Sequence, residues 1–249
     1  MLTLQKAIIQ QLHTTEINRP ILLDLGCGSA PDLLIWQNLN PSHVYGVDAN
    51  AASIKKAQQR LNQLPERFRE KVEFCVTDLT IPHFDLTLPP IANNTVDLIS
   101  MQCSVGYFFK NAAVIDNLLQ WCAAKMKAGA YIVGTNMDGD RVSSLLHSTE
   151  GSSIYRHDFF IDCPGNNEVK LARVGAASKH KAKEYLVRMP ELTEAMKRAG
   201  LQLVEIKPFA LWYTEKQVVL GSEESDISFL FTSFVFQKPK LNDTDTKKK

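Results

Sequence analysis

The stretch ILLDLGCGSAPDLL, Ile21 to Leu34, decides the fold. An apolar run carrying one acid, Asp24, ends in Gly26 and Gly28, and a second acid, Asp32, then opens another apolar run. The first run reads as a buried strand. The glycines let the backbone turn sharply enough for a ligand to approach the main chain, and Pro31 stands at the head of the following helix.

On either side of this turn, strands and helices alternate. HVYGVD (43–48), KVEFCVTD (71–78), TVDLISMQCS (95–104) and GAYIVGTNM (129–137) read as strands. PDLLIWQNL (31–39), NAASIKKAQQRLNQL (50–64, with Asn50 as its cap) and Asn111–Met126 read as helices, as does Leu2–Leu12 at the start. This rhythm predicts a parallel sheet covered on both faces. Residues 151–190 break it: polar and without a strong period, they read as an insert on the sheet and not as a second domain. MPELTEAMKRAG then predicts a helix stopped at Gly200. LQLVEIKPF and DISFLFTSFVFQK predict two last strands that close the sheet as an antiparallel hairpin. The expectation is one doubly wound, Rossmann-like α/β domain over 1–238 with a mostly parallel seven-stranded sheet, followed by a polar, basic, disordered tail over 239–249.

Composition narrows the function. The chain has 249 residues, 45% of them hydrophobic, enough to bury a full core, and its formal net charge of +1 means that any polyanion must be held by a local patch. Five scattered cysteines lack metal spacing and suit a reducing, intracellular compartment. The histidines show no ligand spacing either, so no metal is expected. No apolar run reaches the roughly 18 residues of a membrane span, and the N-terminus lacks the small-residue site of a cleaved signal.

The glycine turn admits three ligands on general grounds. A phosphate-gripping loop needs G-x-x-x-x-G-K-[ST], which is absent. A dinucleotide fingerprint needs a third glycine where this chain has Pro31, and Asp32 at the helix mouth would repel a pyrophosphate. A cationic cofactor without phosphate fits the acids better. D-L-G-C-G at a first strand end resembles the signature of class I S-adenosylmethionine-dependent methyltransferases. On that resemblance Asp48, ending the second strand, accepts from the ribose hydroxyls. Asp78, ending the third, receives the adenine amino group.

A narrower resemblance runs through nearly the whole chain. LDLGCGSAPDLLIW is similar to LDLGCGKGGDLLKW of the mRNA cap guanine-N7 methyltransferases, and MQCSVGYFF to their CQFxxHYxF. TNMDGDRVSSLL is similar to TTMDGDKLSKL of the methyltransferase domains of large-DNA-virus, poxvirus-like capping enzymes. KEYLVRMPELTEAMKRAGLQLVE and FALWYTE resemble EYLVYFPLLxxMxKxxGLxLV and FxxFYEE. The resemblance implies a cofactor site of Lys6, Asp24, Gly26, Gly28, Asp32, Asp48, Asp78, Gln102 and Tyr107, and a cap site of Arg60, Tyr107, Glu184 and Tyr213. It further implies S-adenosyl-L-methionine as cofactor, the capped 5′ end of mRNA as partner, methyl transfer to guanine N7 by in-line displacement without a general base, and a host-cytoplasmic or virion setting. Triphosphatase and guanylyltransferase domains of a longer capping enzyme, and a stimulatory subunit, are further partners it suggests. Glu184 is a natural bidentate acceptor for the guanine N1–H and exocyclic amine, the tyrosines bound or stack on the base, and Arg60 pairs with the bridging phosphates. The chain departs from the family at Ser29, Ala30 and Pro31, where the family has Lys-Gly-Gly, and at Gly106, where it has histidine. Two alternatives stay open on the sequence: a methyltransferase acting on another small molecule or protein, and a non-catalytic methyltransferase-fold module that binds RNA or stimulates a partner.

Overall fold

A computed structural model describes residues 17–148, 152–155, 159–165, 168–173, 184–216 and 228–240. The expected helix over Leu2–Leu12 and the tail from residue 241 on lie outside these. Among the described residues, strands β1 (Ile21–Leu25), β2 (His43–Asp48), β3 (Val72–Val76), β4 (Val96–Gln102) and β5 (Met126–Met137) form the parallel part of a seven-stranded sheet. The edge hairpin supplies the remaining pair, β10 (Gln202–Pro208) and β11 (Phe231–Gln237), with β11 antiparallel to β5. The order β10-β11-β5-β4-β1-β2-β3 places β1 inside the sheet, paired to β2 on one side and β4 on the other. The chain reverses its direction of winding there, so the turn after β1 opens into the crevice where such sheets hold ligands.

The helices sit where the apolar spacing puts them. α1 (Leu33–Asn38) buries Leu33, Ile35 and Trp36, and α2 (Ala51–Leu61) buries Ile54, Ala57 and Leu61. Asn50 caps α2 by accepting from the backbone N–H groups of Ala52 and Ser53. Asn111 caps α5 (Ala112–Lys125) by accepting from Val114 N–H. Between these lie two one-turn helices, α3 (Glu66–Arg69) and α4 (Val105–Phe108). α6 (Gly139–Ser148) follows β5 directly. α7 (Met189–Arg198) ends as expected: Gly200 has φ +78, its N–H donates to Lys197 carbonyl and that of Leu201 reaches back to Met196. Pro31 is a small correction, since α1 starts only at Leu33 with Asp32 in its cap position, and the proline belongs to the turn before the helix.

The insert is more ordered than its composition suggests. It forms a second, four-stranded antiparallel sheet, β6 (Ser153–Tyr155), β7 (Phe159–Gly165), β8 (Glu168–Arg173) and β9 (Glu184–Tyr185). Its strands are short. Among their described side chains only Ile154, Ile161 and Val169 are buried; these join the core below, and so brief an alternation leaves no clear period. One helix also went unread: α8 (Phe209–Lys216) packs Trp212 fully inside, where the indole N–H donates to Ser233. β11 accordingly begins at Phe231, later than the apolar run that announces it.

Candidate functional site

The turn after β1 is built from residues that only a permissive backbone can serve. Gly26, Gly28 and Ala30 have φ of +75, +55 and +50. A Cβ on Gly26 would collide with that of Ser104, whose hydroxyl donates to Leu25 carbonyl at 2.7 Å, so this position requires glycine on both counts. Gly26 and Cys27 both donate their N–H to Val47 carbonyl, at 2.8 and 3.0 Å. Asp48 fastens the other side, with Oδ2 accepting from Gly28 N–H at 2.9 Å and Oδ1 from Asn50 N–H at 2.8 Å. Its carboxylate therefore holds the loop in shape and still presents lone pairs to the cavity beside it.

That cavity, about 550 Å³, opens at the carboxyl ends of β1, β2, β3 and β4. Gly26, Gly28, Asp48, Asp78 and Tyr107 line it, so five of the expected site residues come together there. Asp78 Oδ1 accepts from Thr80 N–H and hydroxyl at 2.9 and 2.6 Å. Ser53, Cys103 and Lys110 line it too and were not foreseen. Cys103 adopts φ +53, an unusual conformation for a residue with a side chain, and burial pushes its thiol up to about 11. It is a neutral wall group. Lys110 directly follows the Tyr-Phe-Phe run, and no periodicity sets it apart from an ordinary solvated lysine.

Asp24, Asp32 and Gln102, expected as direct cofactor contacts, do not line the cavity. Asp24 and Asp32 are buried, each about 3% exposed. Burial, and then the Asp32 charge, hold the Asp24 carboxyl well above the usual carboxylate range, while burial raises Asp32 to about 6. Asp32 Oδ1 is buried without a hydrogen-bond partner. Gln102 Oε1 accepts from Thr135 hydroxyl at 3.0 Å, and its Nε2 is buried and unpartnered. An unpaired acceptor and an unpaired donor near a glycine turn are what a zwitterionic ligand would satisfy. Asp24 lies inside β1, one residue short of its end, and Asp32 occupies the cap position of α1 without a side-chain capping bond.

Of the residues expected to face the cap, Glu184 begins β9 and Tyr107 lies in α4. Tyr107 donates its hydroxyl to Glu184 Oε1 at 2.9 Å, so the small sheet and the β4–α5 connection meet at one carboxylate. Burial raises Glu184 above its ordinary range and the Tyr107 hydrogen bond opposes that rise. Burial and the neighbouring carboxylate push the Tyr107 phenol upward, so it stays a donor. Gly106 makes this meeting tight. A Cβ there would stand 3.2 Å from Tyr185 carbonyl and 3.5 Å from Glu184 Cβ and Oε2. Arg60, on α2, is exposed and does not line the cavity; it donates from Nη1 to the carbonyl and hydroxyl of Ser29, at 2.8 and 3.1 Å. Lys6 and the Tyr213 side chain lie outside the described residues, although Tyr213 falls within α8. Among the described residues no cluster of three metal-ligating side chains occurs, and no helix is long and apolar enough to cross a membrane.

Known proteins share both the sequence and the architecture. The chain is 27% identical over 214 residues to an mRNA cap guanine-N(7) methyltransferase of Drosophila melanogaster, covering 78% of this chain and 48% of that protein. It is 25% identical over 266 residues to one of Schizosaccharomyces pombe, covering 94% and 73%. The chain thus spans less than half the length of the fly protein, and 37% of each of two nematode relatives. In architecture it is similar to an S-adenosylmethionine-dependent methyltransferase from Clostridium acetobutylicum, with TM-score 0.64 at 14% identity over 93% of this chain and 89% of that one. A geranyl diphosphate C-methyltransferase from Streptomyces coelicolor gives TM-score 0.59 at 14% identity over 95% and 79%. The fold is therefore that of the class I methyltransferases. The family model for the mRNA (guanine-N(7))-methyltransferase domain matches residues 3–224, and the chain belongs to that family.

Proposed function

We propose that this chain transfers a methyl group from S-adenosylmethionine to N7 of the guanine cap of mRNA. The observation that carries the reading is the half-buried Glu184 carboxylate, held at 2.9 Å by the hydroxyl of Tyr107, which lines the cavity. Guanine offers two donors on one edge, N1–H and the exocyclic amine, and an ionised carboxylate is the side chain that accepts both. Capped RNA is accordingly the partner.

The cofactor supplies an electrophilic methyl group on a sulfonium. Asp48 and Asp78 would accept from its hydroxyl and amino groups, the glycine turn would admit it against the main chain, and the unpaired buried atoms of Asp32 and Gln102 are the ones its charged end would satisfy. Guanine N7 carries an in-plane lone pair, so no residue has to remove a proton from it. The protein's work is positioning: Glu184 orients the base, Tyr107 orients Glu184, and Arg60, anchored on Ser29, meets the phosphates. Fixing two reactants in a near-attack geometry is worth up to about 7–11 kcal/mol, and a preorganised polar site adds stabilisation as charge shifts onto the guanine.

The experiment is transfer from methyl-labelled S-adenosylmethionine to GpppA and to GTP, with the product digested to locate the label. Label on N7 of the cap guanine is expected, with Glu184→Ala removing most turnover. Binding of the cofactor without label on any guanine would refute the reading.

A further inference from the structure

Helix α2 carries Lys55, Lys56 and Arg60 and no acid, in a chain whose whole formal charge is only +1. Its inward face is fixed by Ile54, Ala57 and Leu61. Turning 100° per residue from that face, Ser53, Lys56 and Arg60 share one flank, and Lys55 lies on the opposite one. Both ends of the Ser53 flank have fixed positions. Ser53 lines the cavity, and Arg60 is anchored by two hydrogen bonds to Ser29 in the glycine turn. Lys56 stands between them, exposed and one turn from Arg60, about 6 Å along the surface. No described acid pairs with Lys56 or with Arg60. A cationic stripe that starts at a catalytic rim and has no internal counter-charge is a place where a polyanion releases counterions.

We propose that the Ser53–Lys56–Arg60 flank of α2 carries the phosphate track past the cap, with Arg60 on the bridging phosphates of the cap and Lys56 on the first phosphate of the transcript beyond it. The proposal rests on the function proposed above and extends it from the cap to the first nucleotides of the RNA body. Arg60 spends one guanidinium nitrogen on Ser29, and its remaining N–H groups form a fork suited to a phosphate. Lys56 adds a flexible point charge for the next phosphate. The serine standing where the family has a lysine thereby acquires a purpose, holding the arginine in place through its carbonyl and hydroxyl.

The test compares GpppA with a capped oligoribonucleotide long enough to cross the helix, in wild type, Lys56→Glu and Lys55→Glu. Binding of the fluorescent oligoribonucleotide is measured alongside methyl transfer. The proposal expects wild type to prefer the oligoribonucleotide. Lys56→Glu should raise its KM by about threefold or more, and Lys56→Ala should lower the slope of log affinity against log salt by about 0.7. GpppA kinetics should stay unchanged in both. Lys55→Glu, with the same change in net charge on the far flank, should behave as wild type. Equal effects of the two glutamate variants, or no preference for the oligoribonucleotide in wild type, would overturn the track. If GpppA is not methylated at all yet Lys56→Glu alone loses oligoribonucleotide affinity, the track stands and the substrate assignment falls.

Discussion

Removing one oxygen from Tyr107 tests whether the half-buried carboxylate is the guanine reader. In Tyr107→Phe the ring still fills its place, but Glu184 Oε1 loses the donor 2.9 Å away. A hydrogen bond to a charged group contributes about 1.5–3 kcal/mol, and each 1.4 kcal/mol is tenfold. The ionised form of Glu184 should therefore become about ten- to a hundredfold less favoured. Its direction is set by the structure. Burial already raises the Glu184 carboxyl and Tyr107 opposes that rise, so the variant lets burial act unopposed. A protonated Glu184 presents a donor where guanine needs an acceptor, so the acid limb of kcat/KM for GpppA should move toward neutrality. At high pH, where Glu184 is ionised in both proteins, the two profiles should approach each other. The phenol of Tyr107 is itself pushed up and remains protonated, so wild type has no compensating titration in this range. The assay is kcat/KM for GpppA across pH, with calorimetric affinity for S-adenosylmethionine at the same points. An unmoved acid limb refutes the reasoning. So does a parallel loss of cofactor affinity, which would make Tyr107 a cofactor contact only.

Two further outcomes follow from the same geometry. Asp32, raised to about 6 from an ordinary value near 3.9, favours its protonated form in the fold. That stability is fully present below the ordinary value and is lost as pH rises through about 6, about 3 kcal/mol in all. Urea unfolding of the free protein should show the decline, and Asp32→Asn should reduce it without abolishing it, because burial raises the Asp24 carboxyl as well; an equal slope in wild type and variant would show that Asp32 is not a source. Gly106→Ala places a methyl 3.2 Å from Tyr185 carbonyl and 3.5 Å from Glu184 Oε2, forcing β9 back by a few tenths of an ångström. Overpacking of this kind costs about 1–3 kcal/mol, so the KM for GpppA should rise about tenfold while cofactor affinity holds; an unchanged KM would mean the approach of β9 is immaterial.

How much of this a sequence can reveal depends on the range of the interactions. β1 and β4 are nearly continuous apolar runs because both faces of the sheet are covered there, and the alternation of strands with helices is announced by short-range patterning alone. Asn50, Asn111 and Gly200 act within a few residues of themselves, so their capping roles are readable before any fold is known. The insert's sheet is different. Among its described side chains only Ile154, Ile161 and Val169 are buried within the strands, and what makes them strands is pairing with one another, not their own period. α8 was hidden in a similar way, because Trp212 and Phe209 are buried by β11, which is distant in the chain.

The site divides along the same line. Gly26, Gly28, Asp48 and Asp78 occupy strand ends, so a strand prediction is already a position prediction. Asp24 and Asp32 enter the expected site through the resemblance, and both are buried away from the cavity lining, since one residue of offset along a strand or a cap moves a carboxylate off the wall. Gly106 is the instructive case. Read along the chain, it is a missing histidine and a mark against substrate binding. In three dimensions its bare Cα is what lets the backbone of Tyr185 and the carboxylate of Glu184, nearly eighty residues further on, close against α4. A lost side chain and a gained contact are one event there, and only the Tyr107 to Glu184 hydrogen bond tells them apart. Ser29 follows the same logic with Arg60. At Gly106 and Ser29 the departure shortens a side chain and leaves a neighbour held closely, which is how a pocket can keep its chemistry while changing its parts.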